Sequence, residues 1–250
     1  VNLTRLMIHA VLHSTLWFRK LTATGTFGRQ KAHRLDGPEP AGNNSLKAAL
    51  MIYHEKQLLE ASCSVATVVS SVNAIRSVQN GKVKRITQWE ILDRVRTVNW
   101  KERMSDSGYR GRRGLPLALL GKVVECSLDL YNVRYRSVDV VQACKAKASK
   151  PKRQELKRHL LAFEKKGDRV IIAHFDQGAF LPVLNIPHIS AVGGYRPESR
   201  QVTLLDVDPA QEVPYRVDFD LFYKGLSNDY CGIFKPFGYE SGGYVLVRLR

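Results

Sequence analysis

Within the 250-residue chain, one stretch combines residue types and spacing that could generate a nucleophile. Val65, Val68, Val69, Val72 and Ile75 recur at the i, i+3, i+4, i+7 spacing of one buried helical face, which puts Cys63 in the first turn of that helix. Unpaired backbone N–H groups and the positive end of the macrodipole favour a negative charge there, and the thiolate is the reactive form of cysteine. Gln57 stands six residues before the cysteine, where its side-chain amide can stabilise a tetrahedral oxyanion. A small buried hydrophobe is the competing reading of Cys63.

A second pair lies far along the chain. His188 opens an apolar run after Asn185-Ile186-Pro187, and Asp206 closes the next one, Val202-Thr203-Leu204-Leu205-Asp206. Two adjacent antiparallel strands joined by a turn would set those ends side by side. An imidazole held between a carboxylate and a thiol is the arrangement that activates cysteine nucleophiles. Taken singly, each residue has a plainer reading, as a structural histidine or a turn aspartate. His174, inside Ile171-Ile172-Ala173-His174-Phe175, takes the structural role.

The elements that must hold these groups divide by periodicity. Helical patterns occupy the first part: the Cys63 helix ending at Asn80-Gly81, Thr87 to Val95 with a Thr87/Glu90 capping box, Leu115 to Tyr131, and Pro151 to Lys166. Ser105 to Gly114 reads as a loop and Val133 to Tyr135 as a brief strand. From Asp168 the pattern turns to period two, with strands at 169–175, 188–195, 201–206, 213–217 and 243–249. Helices followed by strands predict an α+β domain with an antiparallel sheet. Leu6 to Phe18 is apolar but too short to span a bilayer, and reads as an amphipathic arm packed on the domain. Gly25 to Asn44 reads as a linker, so residues 1–44 form an arm and linker and residues 45–250 the catalytic domain.

Composition narrows the function. The chain is 44% hydrophobic and 25% charged, the balance of a globular protein able to bury a core. Cys63, Cys126, Cys144 and Cys231 form no C-x-x-C pair, which argues against a zinc site or a disulfide framework. A free reactive thiol fits the cytoplasm, with the periplasm as the alternative if the apolar N-terminal stretch is a signal remnant. The net charge of +16 argues for a binding protein, yet no recognition-helix signature accompanies it. An anionic substrate is an equally physical use of that field. Neither nucleic acid nor a membrane is an expected partner, and a homodimer is left open.

The segment Gln57 to Ile75 with Cys63, the run Pro187-His188-Ile189-Ser190-Ala191-Val192-Gly193-Gly194-Tyr195, and Leu204-Leu205-Asp206-Val207 together resemble the catalytic domain of phytochelatin synthases, in the papain-like cysteine protease superfamily. The resemblance covers roughly Met51 to Arg250. It implies a papain-like α+β fold and a glutathione γ-glutamylcysteinyltransferase in which Cys63 attacks the Cys–Gly amide of glutathione. His188 would serve as base and acid, Asp206 would orient it, Gln57 would supply the oxyanion hole, and Asp229 would hold the γ-glutamyl amino group. No protein-bound metal or cofactor is implied, since heavy metals act in the family through thiolates of the substrate. Three family arginines are absent: Gln177, Pro209 and Gly242 stand in their places. Without those bidentate forks for carboxylates, hydrolysis of the thioester is expected to outrun phytochelatin synthesis. A peptidase of the bacteriocin-leader-processing kind and a non-catalytic basic binding protein are the alternatives.

Overall fold

A computed structural model describes residues 3–22, 28–37, 40–143, 149–184, 186–228 and 241–250. In chain order these form α1 (Leu3–Thr22), β1 (His33–Arg34), α2 (Ser45–Tyr53), α3 (Cys63–Asn80), α4 (Gln88–Arg94), α5 (Trp100–Met104), α6 (Leu117–Leu130), β2 (Tyr135–Gln142) and α7 (Ser149–Lys166). They continue as β3 (Arg169–Asp176), β4 (Pro187–Arg196), β5 (Gln201–Leu205), β6 (Tyr215–Asp218), α8 (Phe219–Leu226) and β7 (Gly243–Leu249). The strands make one antiparallel sheet in the order β1-β6-β5-β4-β3-β7-β2. The α+β class read from the sequence is therefore the observed one.

The helix α3 is the hub of the helical half. Every residue from Ser64 to Ile75 is buried, which a single apolar stripe would not require. Most of its polar side chains are bonded internally, Ser70 Oγ being the exception: Thr67 Oγ1 donates to Ile189 O at 3.0 Å, Asn73 is bonded to both N and O of Ile86, and Trp100 Nε1 donates to Ser64 Oγ. The Thr67 bond ties the first turns of α3 to the strand that carries His188. Gly81, at φ 72°, ends the helix with its N–H on Ser77 O, a positive-φ termination that glycine adopts without a Cβ clash.

Within the sheet, β4 and β5 slip by one residue between Val192 and Gly194. Gly193 fills the bulge, and a Cβ there would lie 2.6 Å from Leu205 Cδ2, so a larger residue would displace the Leu205 side chain. A buried polar link braces the same region from outside. Lys47 of α2 pairs with Glu164 of α7, whose other oxygen accepts Tyr195 N at 3.0 Å.

Two expectations need correction. Residues 28–35 are not a free linker before Ser45: Gly28 N donates to Gly178 O, Lys31 N and Ala32 N to Phe180 O, and β1 pairs with β6. The strand expected at 133–135 runs instead over Tyr135–Gln142 along β7, where tertiary pairing overrides a half-exposed, charge-interrupted pattern.

Candidate active site

Cys63 is the first residue of α3, preceded by Ser62 at the cap. The turn before it closes on itself, with Leu59 N on Ser62 Oγ, and Ser62 Oγ and N on Leu59 O. Cys63 therefore enters the helix at a fixed angle, half-buried, with its own N–H among the first-turn donors that have no intrahelical acceptor.

His188 lies in β4 opposite Phe175 of β3, whose ring meets the imidazole edge-on at 5.6 Å between centroids. Asp206 and Cys63 both bear on the imidazole and favour its charged form, and Asp206 is its hydrogen-bond partner. Its Nε2 lies 2.7 Å from Asp206 Oδ1, so the carboxylate fixes the proton on Nε2 and leaves Nδ1 outside that bond. The structure thus brings Cys63, His188 and Asp206 together at one site, with the imidazole bonded to the carboxylate.

Asp206 follows β5 and is fully buried. Four donors meet it: His188 Nε2 and Asp208 N on Oδ1, Gln177 Nε2 and the Tyr215 hydroxyl on Oδ2. Burial alone would raise its pKa, but the charge and hydrogen bond of His188, aided by Tyr215 and Asp208 N, hold the carboxyl well below the usual range. For His188 the balance is the mirror image. Burial pulls it down, while the charge and hydrogen bond of Asp206 and the contact with Cys63 carry it well above 6.5. Tyr215 is pushed well above 10 by burial and by the same carboxylate, so it remains a donor.

Gln57 approaches from the segment ahead of α3. Its N donates to Val207 O at 2.8 Å and its Nε2 to Glu60 O at 2.9 Å. An amide nitrogen carries two protons, which leaves one N–H for a ligand. The Gln88 side chain fixes this segment through Glu55 Oε1, Lys56 O and Leu58 N. Lys56 joins it to the Asp206 turn, donating from Nζ to Asp206 O at 2.6 Å and to Gln211 O at 2.5 Å. Burial lowers the basicity of Lys56 against the pull of Asp206 and Asp208. Replacing Lys56 by methionine should lower kcat tenfold to about a hundredfold, the cost of a misplacement near 1 Å, with little change in KM. Steady-state kinetics check this, and recovery of kcat in Lys56→Arg would identify the effect as positioning.

The remaining sequence candidates are placed as follows. His174 is buried, with Nε2 3.2 Å from Leu115 O, and Asp229 lies outside the described residues. Gln177, the first substitute for a family arginine, is committed to Asp206 and Asp208. Gly242 has no room for a side chain, since a Cβ would lie 2.5 Å from both His174 O and Leu226 O. Tyr215 and Lys56 escaped the sequence reading because neither carries a local signal; Gln177 was visible only as a departure. Among the described residues no group of three His, Cys, Asp or Glu side chains could hold a metal ion.

Burial drives both His54 and His174 down to about 4, assisted at His54 by the Lys56 charge. Unfolding returns each to about 6.5, so the unfolded chain binds more protons between pH 6.5 and 4 and stability falls as pH is lowered. For His174 the loss is on the order of 3 kcal/mol by pH 4. His188 acts oppositely: its raised value makes its contribution full below 6.5 and lost as pH rises through the folded value. Urea unfolding should therefore show maximal stability near pH 6.5, and a flat curve from 6.5 to 4.5 would contradict these placements.

The profile of the family described as Phytochelatin synthase matches residues 39–230. A comparison with curated proteins returned no match. The matched span holds the helix that begins with Cys63, the strand that carries His188 and the turn that carries Asp206. With that match over most of its length, the chain belongs to the phytochelatin synthase family, an enzyme family of glutathione γ-glutamylcysteinyltransferases with a cysteine-peptidase-like α+β fold.

Proposed function

We propose that this protein cleaves the Cys–Gly bond of glutathione through a γ-glutamylcysteinyl thioester on Cys63 and releases the acyl group mainly to water. The observation that supports this best is the Cys63–His188–Asp206 row, with its 2.7 Å imidazole–carboxylate bond. The Cys63 thiolate attacks the carbonyl carbon of the Cys–Gly amide. The oxyanion is met by the free N–H of Gln57 Nε2 and the Cys63 backbone N–H. His188, protonated, gives its Nδ1 proton to the departing glycine nitrogen as the C–N bond breaks. Neutral His188 then takes a proton from water, which attacks the thioester; γ-glutamylcysteine leaves and the thiolate–imidazolium pair is restored. Asp229 is the proposed holder of the γ-glutamyl ammonium group.

Hydrolysis over synthesis follows from what stands where carboxylate forks would. A second glutathione must be gripped to compete with water for the thioester, and Gln177 is spent on Asp206 while Gly242 is sterically closed. Incubation with glutathione, with and without a heavy-metal ion to form the substrate thiolate, tests the reading. Glycine and γ-glutamylcysteine in equal amounts are expected. Phytochelatin as the main product would overturn the preference for water, and cleavage of longer peptides without glycine release would favour a leader-type peptidase.

A further inference from the structure

The helix α1 carries two apolar faces, and the domain uses one of them. Ile8 and Leu12 are buried at 7% and 8% exposure, and Leu16, one turn further, packs on Gly28, where a Cβ would meet its Cδ1 at 2.5 Å. That i, i+4, i+8 row is the inner face. Leu3, Leu6, Met7 and Val11 in the first half and Trp17, Phe18 and Leu21 in the second are 52–70% exposed. Their spacing of i, i+3, i+4, i+8 and i+14, i+15, i+18 keeps them on one continuous outer stripe. The polar residue inside that stripe, Ser14, turns its hydroxyl back to Ala10 O at 2.9 Å, and Thr15 and Thr22 at its margin do the same to Val11 O and Phe18 O. The stripe therefore presents no unsatisfied hydroxyl donor. Gly28, Lys31 and Ala32 anchor the segment that follows to the sheet side of the molecule.

We infer that the outer stripe of α1 docks the protein in the plane of an anionic lipid surface. A helix with an apolar face, aromatic residues near one end and basic flanks lies in the interface with that face among the acyl chains. Charge selects the occupant. Residues 1–35 contain Arg5, Arg19, Lys20, Arg29, Lys31 and Arg34 and no Asp or Glu, within a chain of net charge +16. Two copies brought face to face through α1 would set like charge against like, whereas an anionic surface attracts both the segment and the body. Lying on the surface is also the geometry left open, since no described helix is long and apolar enough to cross a membrane. The sequence reading of an arm packed on the domain accounts for the inner row alone. This inference does not depend on the catalytic assignment.

Full-length protein co-sedimented with vesicles of phosphatidylcholine, with and without phosphatidylglycerol, tests it. Binding to the anionic vesicles is expected to be at least about tenfold tighter than to the neutral ones and to weaken with salt. Leu6→Glu/Phe18→Glu, and separately Met7→Ser/Trp17→Ser, should each weaken it by about tenfold or more while glycine release in solution stays at the wild-type rate. Protein that remains in the supernatant would overturn the inference, as would variants that bind like wild type. A dimer that these variants convert to monomer, with no vesicle capture of either form, would assign the stripe to self-association instead.

Discussion

Cys63→Ala should abolish glycine release from glutathione, with a loss on the order of 10⁵-fold or more in kcat, the scale seen when the nucleophile of a catalytic triad is removed. Among the described residues nothing near the site can substitute for it. The other described cysteine, Cys126, sits in α6, and the hydroxyls that flank Cys63 are engaged: Ser62 Oγ with Leu59, and Ser64 Oγ with Trp100 and Met104. Cys63→Ser should be nearly as inactive. With His188 held well above 6.5, the imidazole is a poor acceptor for the proton of a serine hydroxyl, which needs a strong general base to act as a nucleophile where a thiol does not. Glycine quantified over time, alongside unchanged thermal unfolding, checks both variants. Turnover above about 1% of wild type in Cys63→Ala, far more than a triad lacking its nucleophile retains, would remove the residue from the mechanism.

The difference in what the sequence made legible follows from where each element gets its stability. Cys63 could be read because α3 is a long periodic run whose start is marked by composition, and β3 to β5 because β-branched alternation is a local signal. His188 and Asp206 could be paired on paper because a short turn joins their strands. The bulge at Gly193 that sets their final register leaves no such trace. The two-residue strand β1 exists because residues 215 and 216 of β6 offer it a pairing edge, a contact separated by most of the chain. α8 is a different case: its start is fixed by Asp218 Oδ1 accepting Asp220 N at 2.7 Å, and Phe219, Phe222, Tyr223 and Leu226 do stand at helical spacing, but over only two turns. α1 shows a different failure. Its apolar content was plain, but two faces were read as one, and only the burial of Ile8 and Leu12 separates them.

The four donors around Asp206 set the terms for the second large effect. Asp206→Asn should lower kcat by about 10³–10⁴-fold, as in triads whose orienting carboxylate becomes an amide, with little change in glutathione binding. The amide can still accept from His188 Nε2 if its oxygen faces the ring, because the Tyr215 hydroxyl can rotate to accept and Gln177 can turn its carbonyl toward the new NH₂. The fold should therefore survive. What disappears is the negative charge that offsets the burial of His188. Burial is then opposed by the Cys63 contact alone, so the imidazole holds its proton less firmly and less of it is available to protonate the departing glycine nitrogen. The alkaline limb of the kcat/KM profile, which reports loss of that acid, should move to lower pH by more than one unit. A fall in kcat with the limb unmoved would mean that Asp206 merely shapes the pocket. Turnover within tenfold of wild type would show that His188 holds its proton without help from the carboxylate, which would undo the charge balance derived for this row.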